Sequence, residues 1–382
     1  MADFRFHVPA ECSIGQDAIF KIPLMLDQGL DKAFMVLDPD PKDAANAERL
    51  ITVLEGRGVS VIRYDELDGR PTGVSVVEAL DMVRGARAPL IIGAGGIRAL
   101  HVAKALSALT LDRVGVEDWM DGNAPSQMSV PLILIPTSYR DPFLLSGGLV
   151  LTDGRNGQAV FLQARRGIES AVVLDPGIMS APSGKAASAA ILDGMMAAVE
   201  GYVSSRENFL SDLALAESIR LYLRALDVIM QRPEEPQAKA DAARACFMAA
   251  LGLATSSPGL GTAVSYSINA RWGVPKANLG AVIIPYLLES LARSKPEKIA
   301  ALAASFCEID PAENAASRAS KAVEAVRTRL GLLKIPSRLK DFDLVLERLV
   351  ETAESARRFD FMNFLPRAMT VDDVFDFIKM VY

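Results

Sequence analysis

Short apolar runs alternate with amphipathic segments along the first half of the chain. The apolar runs predict buried strands, at Lys32–Leu37, Ser60–Tyr64, Val130–Pro136, Leu149–Asp153 and Ala171–Asp175. The segments between them predict helices at Ala44–Gly56 and at Thr72–Arg84, because their apolar residues fall on one helical face. Strands that alternate with helices are typical of a parallel sheet, which binds ligands at the carboxyl ends of its strands.

The pattern changes near Pro182 and Ser183. From Lys185 onward the sequence consists of long Ala- and Leu-rich amphipathic segments, and no run in it predicts a strand. The predicted helices are Lys185–Ser205, Leu210–Met230, Gln237–Thr255, Leu279–Arg293, Pro296–Cys307, Pro311–Leu330, Asp343–Arg357 and Val371–Met380. Thr370 with Asp373 forms a capping box at the start of the last one. We therefore expect an α/β domain over residues 1–181 and an all-helical domain over residues 182–382.

A glycine-rich turn follows a further predicted strand, Pro89–Ile92. Gly93, Gly95 and Gly96 come next, and an apolar helical pattern begins at Ile97. A strand, a glycine turn and a helix N-terminus together suit a phosphate group, because backbone N–H groups point outward and the helix dipole favours anions. The alternative is a tight strand-to-helix turn that binds nothing. A short glycine-rich turn by itself does not decide between the two.

Composition limits the classes of function. The chain has 382 residues, a formal charge of −6 and a mean hydropathy of +0.22, which indicates a folded protein of two domains. The absence of a basic run argues against nucleic-acid binding. The first residues lack the apolar core of a signal peptide and no apolar run is long enough to span a bilayer, so we expect neither a signal peptide nor a membrane span. Three scattered cysteines indicate a reducing cytoplasm. The histidines number only two, His7 and His101.

Several strings then resemble, in order along the whole chain, the iron-containing alcohol dehydrogenases and glycerol dehydrogenases. They are Gly93–Lys104, Pro131–Ser138, Val172–Pro176, Leu192–Val203, Ser257–Gly261 and Ala281–Pro285. The resemblance implies a Rossmann-like α/β nucleotide-binding domain followed by an all-α helical bundle, the dehydroquinate synthase-like or iron-alcohol-dehydrogenase fold. It also implies a homodimer, an NAD(P) cofactor and a divalent metal that polarises the oxygen of an alcohol or aldehyde during hydride transfer.

The family holds its metal with one aspartate and three histidines, and this chain departs from that set. By resemblance Asp193 takes the aspartate position, whereas Ala197, Thr262 and Lys276 take the histidine positions and Tyr266 that of a further active-site histidine. One carboxylate cannot hold a catalytic divalent ion against water. We therefore predict that the family metal is absent and that Asp193 is its only remaining ligand.

Some of the residues by which the family binds its cofactor are retained in this sequence. Asp38 lies at the end of a predicted strand, where family members bind the adenosine ribose, and its charge would repel a 2′-phosphate, which favours NAD over NADP. The other expected cofactor contacts are Gly93, Gly95, Gly96, Arg98, His101, Thr137 and Ser138. Arg98 and His101 are one helical turn apart and could bind phosphate as a pair of cations. Alternatively, His101 is an ordinary helix residue near the glycine-rich turn and binds no ligand.

The loop that receives the nicotinamide in the family has changed in character. Its small residues are replaced in the segment Pro136–Leu144 by Tyr139, Arg140, Pro142 and Phe143. Side chains of this size are expected to obstruct a nicotinamide in the usual position.

Three hypotheses follow. In the first, the chain is an oxidoreductase without a metal, in which the Lys276 ammonium pairs with Asp193 and Tyr266 donates a proton to a developing alkoxide; the alternative for Asp193 and Lys276 is a structural ion pair. In the second, it is a repurposed, catalytically inactive nucleotide-binding homologue with a regulatory or scaffold role. The third, a carbon–oxygen lyase like dehydroquinate synthase, also needs the missing histidines.

Overall fold

The computed structural model describes residues 4, 6–8, 10–39, 41–67, 72–164, 169–179, 181, 183–310 and 312–382. The chain divides into two compact units, His7–Pro182 and Ser183–Tyr382, the second together with Met1–Phe6. The first is an α/β unit and the second a helical unit. This architecture is the predicted one.

The α/β unit is built on a parallel sheet of six strands, which are β1 (Glu11–Ile14), β2 (Lys32–Leu37), β3 (Ser60–Tyr64), β4 (Ile91–Gly95), β5 (Leu132–Pro136) and β8 (Glu169–Leu174). Their order across the sheet is β1-β8-β5-β4-β2-β3. Its helices are α1 (Pro41–Glu55), α2 (Gly73–Ala86), α3 (Ile97–Leu109) and the short α4 (Val116–Met120). The strands β2, β4 and β5 are buried almost throughout, as expected for a sheet that helices cover on both faces.

Two strands stand apart from this sheet. β6 (Gly148–Thr152) and β7 (Ala159–Gln163) form an antiparallel hairpin, so the prediction that Leu149–Asp153 continues the parallel sheet is wrong. The turn of the hairpin closes through Gly157, whose N–H donates to the Asp153 carbonyl at 2.8 Å and whose φ is +70°. The strands β1 and β7 were not predicted. β1 has only four residues and no continuous apolar run, whereas β7 contains the apolar run Ala159–Leu162, to which the sequence analysis assigned no element.

The helical unit has no strand among its described residues. Its helices are α5 (Gly184–Tyr202), α6 (Phe209–Ile229), α7 (Pro236–Leu253), α8 (Leu260–Trp272), α9 (Lys276–Ser294), α10 (Pro296–Phe306), α11 (Ala315–Leu333), α12 (Val350–Arg357) and α13 (Val371–Val381). The structure confirms the capping box of α13: Asp373 N–H donates to Thr370 Oγ1 at 3.2 Å, and Thr370 N–H donates to Asp373 Oδ2 at 2.8 Å. Within the described ranges, no helix is long and apolar enough to cross a membrane.

The sequence pattern misplaced some helix boundaries in this unit. It missed α8, whose residues are buried on nearly every side and therefore show no amphipathic periodicity. It began α11 at Pro311, which lies outside the described residues, whereas the described helix starts after Asn314, whose side chain accepts a hydrogen bond from Ser317 N–H at 2.9 Å. The predicted helix Asp343–Arg357 is regular only in its second half.

Candidate functional site

The carboxyl ends of β2, β4 and β5 lie side by side at one edge of the parallel sheet. After β2 the chain moves outward to β3 and then returns to the other side of β2 as β4. A reversal of this kind opens a crevice at the strands' carboxyl ends, which is where open α/β sheets bind ligands. Asp38 follows β2, Gly96 follows β4 and Thr137 follows β5. The topology therefore brings together the residues predicted to bind a nucleotide.

Gly95 and Gly96 connect β4 to α3 in a conformation that requires glycine at the first position. Gly95 has a φ of +151°, and a Cβ there would lie 2.9 Å from both the Ala99 Cβ and the Asp38 Oδ2. Gly96 is the N-cap of α3, and a Cβ there would lie 3.0 Å from the same carboxylate oxygen. These two glycines keep side chains away from the helix N-terminus, whose partial positive charge favours an anion.

Gly93 has a different role, and its predicted place in the turn is wrong. It lies in the middle of β4, because this strand extends to Gly95 rather than ending at Ile92. A Cβ on Gly93 would lie 2.7 Å from the Ala103 Cβ of α3. The absence of a side chain therefore lets the helix pack closely on the strand.

The Asp38 carboxylate lies in the nucleotide cradle, by which we mean the turn Gly95–Gly96, the N-terminus of α3 and the adjoining ends of β2 and β5. It is 6% exposed, and its Oδ2 accepts a hydrogen bond from Gly96 N–H at 2.5 Å. Its Oδ1 lies 2.8 Å from Arg98 Nη2, and the Arg98 side chain is 28% exposed. The structure thus joins three of the predicted cofactor contacts in one network.

Thr137 and Ser138 complete the rim on the β5 side. Thr137 N–H donates to the Gly95 carbonyl at 2.9 Å, which ties the end of β5 to the end of β4. Ser138 Oγ is buried and makes no hydrogen bond with the described residues. This oxygen would lie 3.9 Å from a Cβ on Gly96. A buried hydroxyl without a partner is costly, so a ligand with a donor or acceptor at this rim would satisfy it.

His101 does not share an exposed face with Arg98. It is fully buried, its Nδ1 lies 3.2 Å from the backbone N of Val150, and its Nε2 lies 3.4 Å from Asp141 Oδ1. The interpretation of His101 as a phosphate-binding cation is therefore not supported. It is a core histidine that ties α3 to β6 and to the loop after β5, because its ring nitrogens need partners once buried.

Asp141 is the acidic partner in this buried cluster. Burial acts to raise the pKa of its carboxyl, but the charges of His101 and Lys104 and the hydrogen bonds from His101 and Phe143 outweigh burial and lower the pKa to about 2. Lys104 in turn donates to the carbonyls of Ser146 and Gly148 at 2.7 and 3.2 Å. Lys104 ends the glycine-rich string and Asp141 lies in the altered loop Pro136–Leu144, but the sequence analysis assigned neither residue a role, because their contacts with other parts of the chain are decided by the tertiary structure.

The lowered pKa predicts a stability loss at low pH. A carboxyl whose pKa is about 2 in the folded chain, against an ordinary 3.8, stabilises the fold above pH 4, and this stability is lost as the pH falls through 2. The gap in unfolding free energy between the wild type and D141N should shrink by about 2 kcal/mol between roughly pH 5 and pH 2. Urea unfolding at each pH measures it. D81N, which alters an exposed carboxylate of α2, is the control, and its difference from the wild type in unfolding free energy should not change with pH. If the difference for D141N were equally independent of pH, the prediction would be wrong.

Two of the bulky loop residues are turned into the α/β unit. Tyr139 is 2% exposed, and its hydroxyl donates to the Met179 carbonyl at 3.1 Å. Phe143 is 5% exposed, and its ring lies 5.2 Å from that of Phe161. The expected obstruction of a nicotinamide therefore does not come from these two rings, which pack in the core instead.

In the helical unit, α5, α8 and α9 pack against one another and bring the three predicted catalytic residues together. Lys276 Nζ donates to both oxygens of Asp193, at 2.7 and 2.9 Å. The same nitrogen lies 4.6 Å from the centre of the Tyr266 ring, a cation–π distance. All three are buried, with exposures of 0% for Asp193, 5% for Lys276 and 3% for Tyr266.

The close approach of α9 to Asp193 depends on Gly280, one turn after Lys276. A Cβ on Gly280 would lie 2.4 Å from Asp193 Oδ1 and 2.8 Å from the Asp193 Cα. Backbone cannot move aside as a flexible side chain can. Gly280 therefore sets the distance at which Lys276 reaches Asp193.

Glu200, which the sequence analysis did not single out, caps the N-terminus of α8. Its carboxylate accepts hydrogen bonds from Gly259 N–H at 3.0 Å, from Gly261 N–H at 2.5 Å and from Thr262 Oγ1 at 2.6 Å. Burial raises the pKa of Glu200, and these hydrogen bonds oppose the rise. Thr262 is thus fixed to Glu200, and Ala197, at the first histidine position, is buried. No group of three or more His, Cys, Asp or Glu side chains in the described ranges is placed to hold a metal ion.

Taken together, the two units define a class: a parallel α/β unit with a nucleotide cradle, followed by an all-helical unit. The sequence profile of the iron-containing alcohol dehydrogenases matches residues 9–176. The profile of the Fe-containing alcohol dehydrogenase family, C-terminal, matches residues 187–382. The chain belongs to the iron-containing alcohol dehydrogenase family, as its motifs predicted.

Individual relatives are distant in sequence but match over most of their length. Alcohol dehydrogenase 4 of Schizosaccharomyces pombe is 22% identical over 91% of this chain and 83% of its own length. The NAD-dependent methanol dehydrogenase of Bacillus methanolicus is 21% identical over 98% of this chain and 99% of its own. Among solved structures, 1,3-propanediol oxidoreductase superposes with a TM-score of 0.91 at 20% identity, over the full length of both chains. Sulfoacetaldehyde reductase from Bifidobacterium kashiwanohense in complex with NAD+ superposes with a TM-score of 0.86 at 19% identity, over 100% of this chain and 99% of its own.

Proposed function

We propose that this chain is an NAD(P)-linked alcohol or aldehyde oxidoreductase that works without the family metal. The observation that carries the proposal is the buried contact of Lys276 with both oxygens of Asp193, within a chain of the alcohol dehydrogenase family. We also propose that it acts in the cytoplasm as a homodimer and that its domains are residues 1–181 and 182–382, as the sequence predicts.

A nicotinamide dinucleotide fits the cradle of the α/β unit. Gly95 and Gly96 leave the N-terminus of α3 without side chains, Arg98 adds a cation beside it, and Ser138 Oγ is buried without a partner there. Asp38 at the end of β2 is placed to accept hydrogen bonds from a ribose. The names of relatives such as the NAD-dependent methanol dehydrogenase support the same cofactor.

A divalent metal does not fit the residues of the helical unit. Both oxygens of Asp193 bind an ammonium group, and a metal ion at the same oxygens would place a second cation against it. The chain supplies no histidine at the other ligand positions of the family, which are Ala197, Thr262 and Lys276. A single carboxylate that is already neutralised is a poor ligand set for zinc or iron.

In the proposed reaction, the nicotinamide supplies the chemistry of hydride acceptance or donation. Lys276 supplies a fixed positive charge, which stabilises a substrate oxygen as it becomes an alkoxide. Asp193 holds the ammonium in position and keeps it charged, since an opposite charge nearby favours the ionised form. The Tyr266 hydroxyl gives the alkoxide its proton.

The proposal is tested by calorimetric titration of the purified chain with NADH, with metal analysis on the same sample, and then by assays with short alcohols and aldehydes. We expect NADH binding, no stoichiometric metal, and activity that chelators leave unchanged. Y266F should lower kcat by about 100-fold or more, the usual contribution of a general acid. Y286F is the matched control, because the Tyr286 hydroxyl bonds to the Ser337 carbonyl on an exposed surface.

The second candidate is a nucleotide-binding homologue that transfers no hydride and serves a regulatory or scaffold role. The burial of Asp193, Lys276 and Tyr266 favours it, because groups that bind one another in a core are often purely structural. NADH binding without turnover of any alcohol or aldehyde would support this candidate over the first. A chain that binds no nucleotide would contradict both.

A further inference from the structure

The negative charge of Asp38 at the end of β2 is offset by neighbouring groups, and this changes what the cradle is expected to accept. An acidic residue that follows a strand of a dinucleotide-binding sheet binds the ribose 2′-hydroxyl and repels a 2′-phosphate. On that ground the sequence favours NAD. The repulsion, however, requires a carboxylate whose charge is not already neutralised.

In the structure Asp38 is neutralised on both sides. Arg98 Nη2 lies 2.8 Å from Oδ1, and the partial positive charge of the α3 N-terminus meets Oδ2 through Gly96 N–H at 2.5 Å. The two partners differ in access to solvent, since the side chain of Arg98 is 28% exposed and that of Asp38 only 7%. A ligand that approaches the rim therefore meets the cation of the pair more than the anion.

Arg98 also has the chemistry that a phosphate monoester needs. A guanidinium presents several N–H donors in a planar fork and binds phosphate oxygens through charge-assisted hydrogen bonds. Arg98 lies in the first turn of α3, where the helix dipole adds to its charge. An arginine beside the ribose position is the feature that accommodates a 2′-phosphate in NADP-binding sheets.

We propose that Arg98 determines the cofactor selectivity of this chain: by neutralising Asp38 and facing the rim, it lets the cradle accept NADP(H) as well as NAD(H). The inference rests on the proposed function, because it concerns the same nucleotide site. It differs from the preference for NAD over NADP that the sequence indicates, in which Asp38 was considered without its partner.

Calorimetric titration of the full chain with NADH and with NADPH tests the proposal through the ratio of the two dissociation constants. We expect the wild type to bind the two within about tenfold of each other, because each 1.4 kcal/mol of difference is a factor of ten. R98A should weaken NADPH at least tenfold more than NADH, since it removes the cation that binds the phosphate and leaves the charge of Asp38 opposed only by the α3 N-terminus. D38N should shift the ratio the opposite way, toward NADPH.

R113A is the matched control, because Arg113 is exposed beyond the other end of α3 and its loss changes the net charge equally. It should leave the ratio unchanged, whereas R98K, which keeps the charge, should retain part of the NADPH binding. Tight NADH binding with NADPH more than about 100-fold weaker, or an R98A variant with the wild-type ratio, would overturn the inference and leave the proposed function standing. Failure of the wild type to bind either nucleotide would overturn both.

Discussion

The variant A197H/T262H/K276H is expected to bind about one divalent zinc ion per chain, whereas the wild type is expected to bind none stoichiometrically. The three histidines would join Asp193 to form a set of four ligands, the number that zinc prefers. The substitution of Lys276 also removes the ammonium that holds both Asp193 oxygens at 2.7 and 2.9 Å. Metal analysis after dialysis, and calorimetric titration with zinc, would measure the change without relying on activity.

The control for this experiment is A197H/T262H, which keeps Lys276. It should bind zinc far more weakly, because the ammonium still neutralises Asp193 and repels a second cation. Stoichiometric metal in the wild type would contradict the interpretation of a lost metal site. If the triple variant folds but binds no zinc, then these four positions do not form the site that the family resemblance implies. Circular dichroism separates that result from a loss of folding.

The second large effect concerns the Asp193–Lys276 pair and stability. K276M should lower the free energy of unfolding by about 3–5 kcal/mol, because it leaves a fully buried carboxylate without its charged partner. Methionine roughly keeps the length and apolar stem of lysine, so loss of the charge dominates over loss of volume. Urea unfolding followed by circular dichroism measures the change.

Two further variants isolate the cause. D193N/K276M removes both charges and should recover most of the lost stability, because replacing a buried pair by neutral groups is often close to neutral. R271M breaks the Arg271–Glu351 pair, whose side chains are 40% and 56% exposed, and should cost less than about 1 kcal/mol. An equal loss in K276M and in the double variant would show that packing, and not the unpaired charge, accounts for the effect.

Sequence periodicity located some strands residue for residue. β2 and β3 match their predicted bounds, since β2 is a continuous apolar run and β3, although partly exposed, carries the strand-favouring residues Val61, Ile62 and Tyr64. α8 was missed, since a helix buried on nearly every side has no polar face. β6 was assigned to the wrong sheet, since the residues of a strand do not determine which other strand it pairs with. Local pattern reports burial, whereas pairing is decided by the rest of the chain.

The candidate site also has features that the sequence predicts and others that depend on the packing of the chain. From the sequence came the glycines at the start of α3, the position of Asp38 at the end of β2, and the absence of histidines at the family's ligand positions. The sequence left open whether Lys276 reaches Asp193, since 83 residues separate them. Their contact depends on the packing of α9 against α5, where Gly280 leaves space for the Asp193 carboxylate.

What the sequence by itself determined is therefore the family, the order of an α/β and a helical part, and the set of residue types available for chemistry. Only the tertiary structure decided which of them lie at the strand ends and which lie in the core. It placed His101 in the core with Asp141 and Arg98 at the rim with Asp38, although the two residues are one helical turn apart. The reason is physical: helical spacing places side chains around an axis, but the elements packed against that axis determine which of them water and ligands can reach.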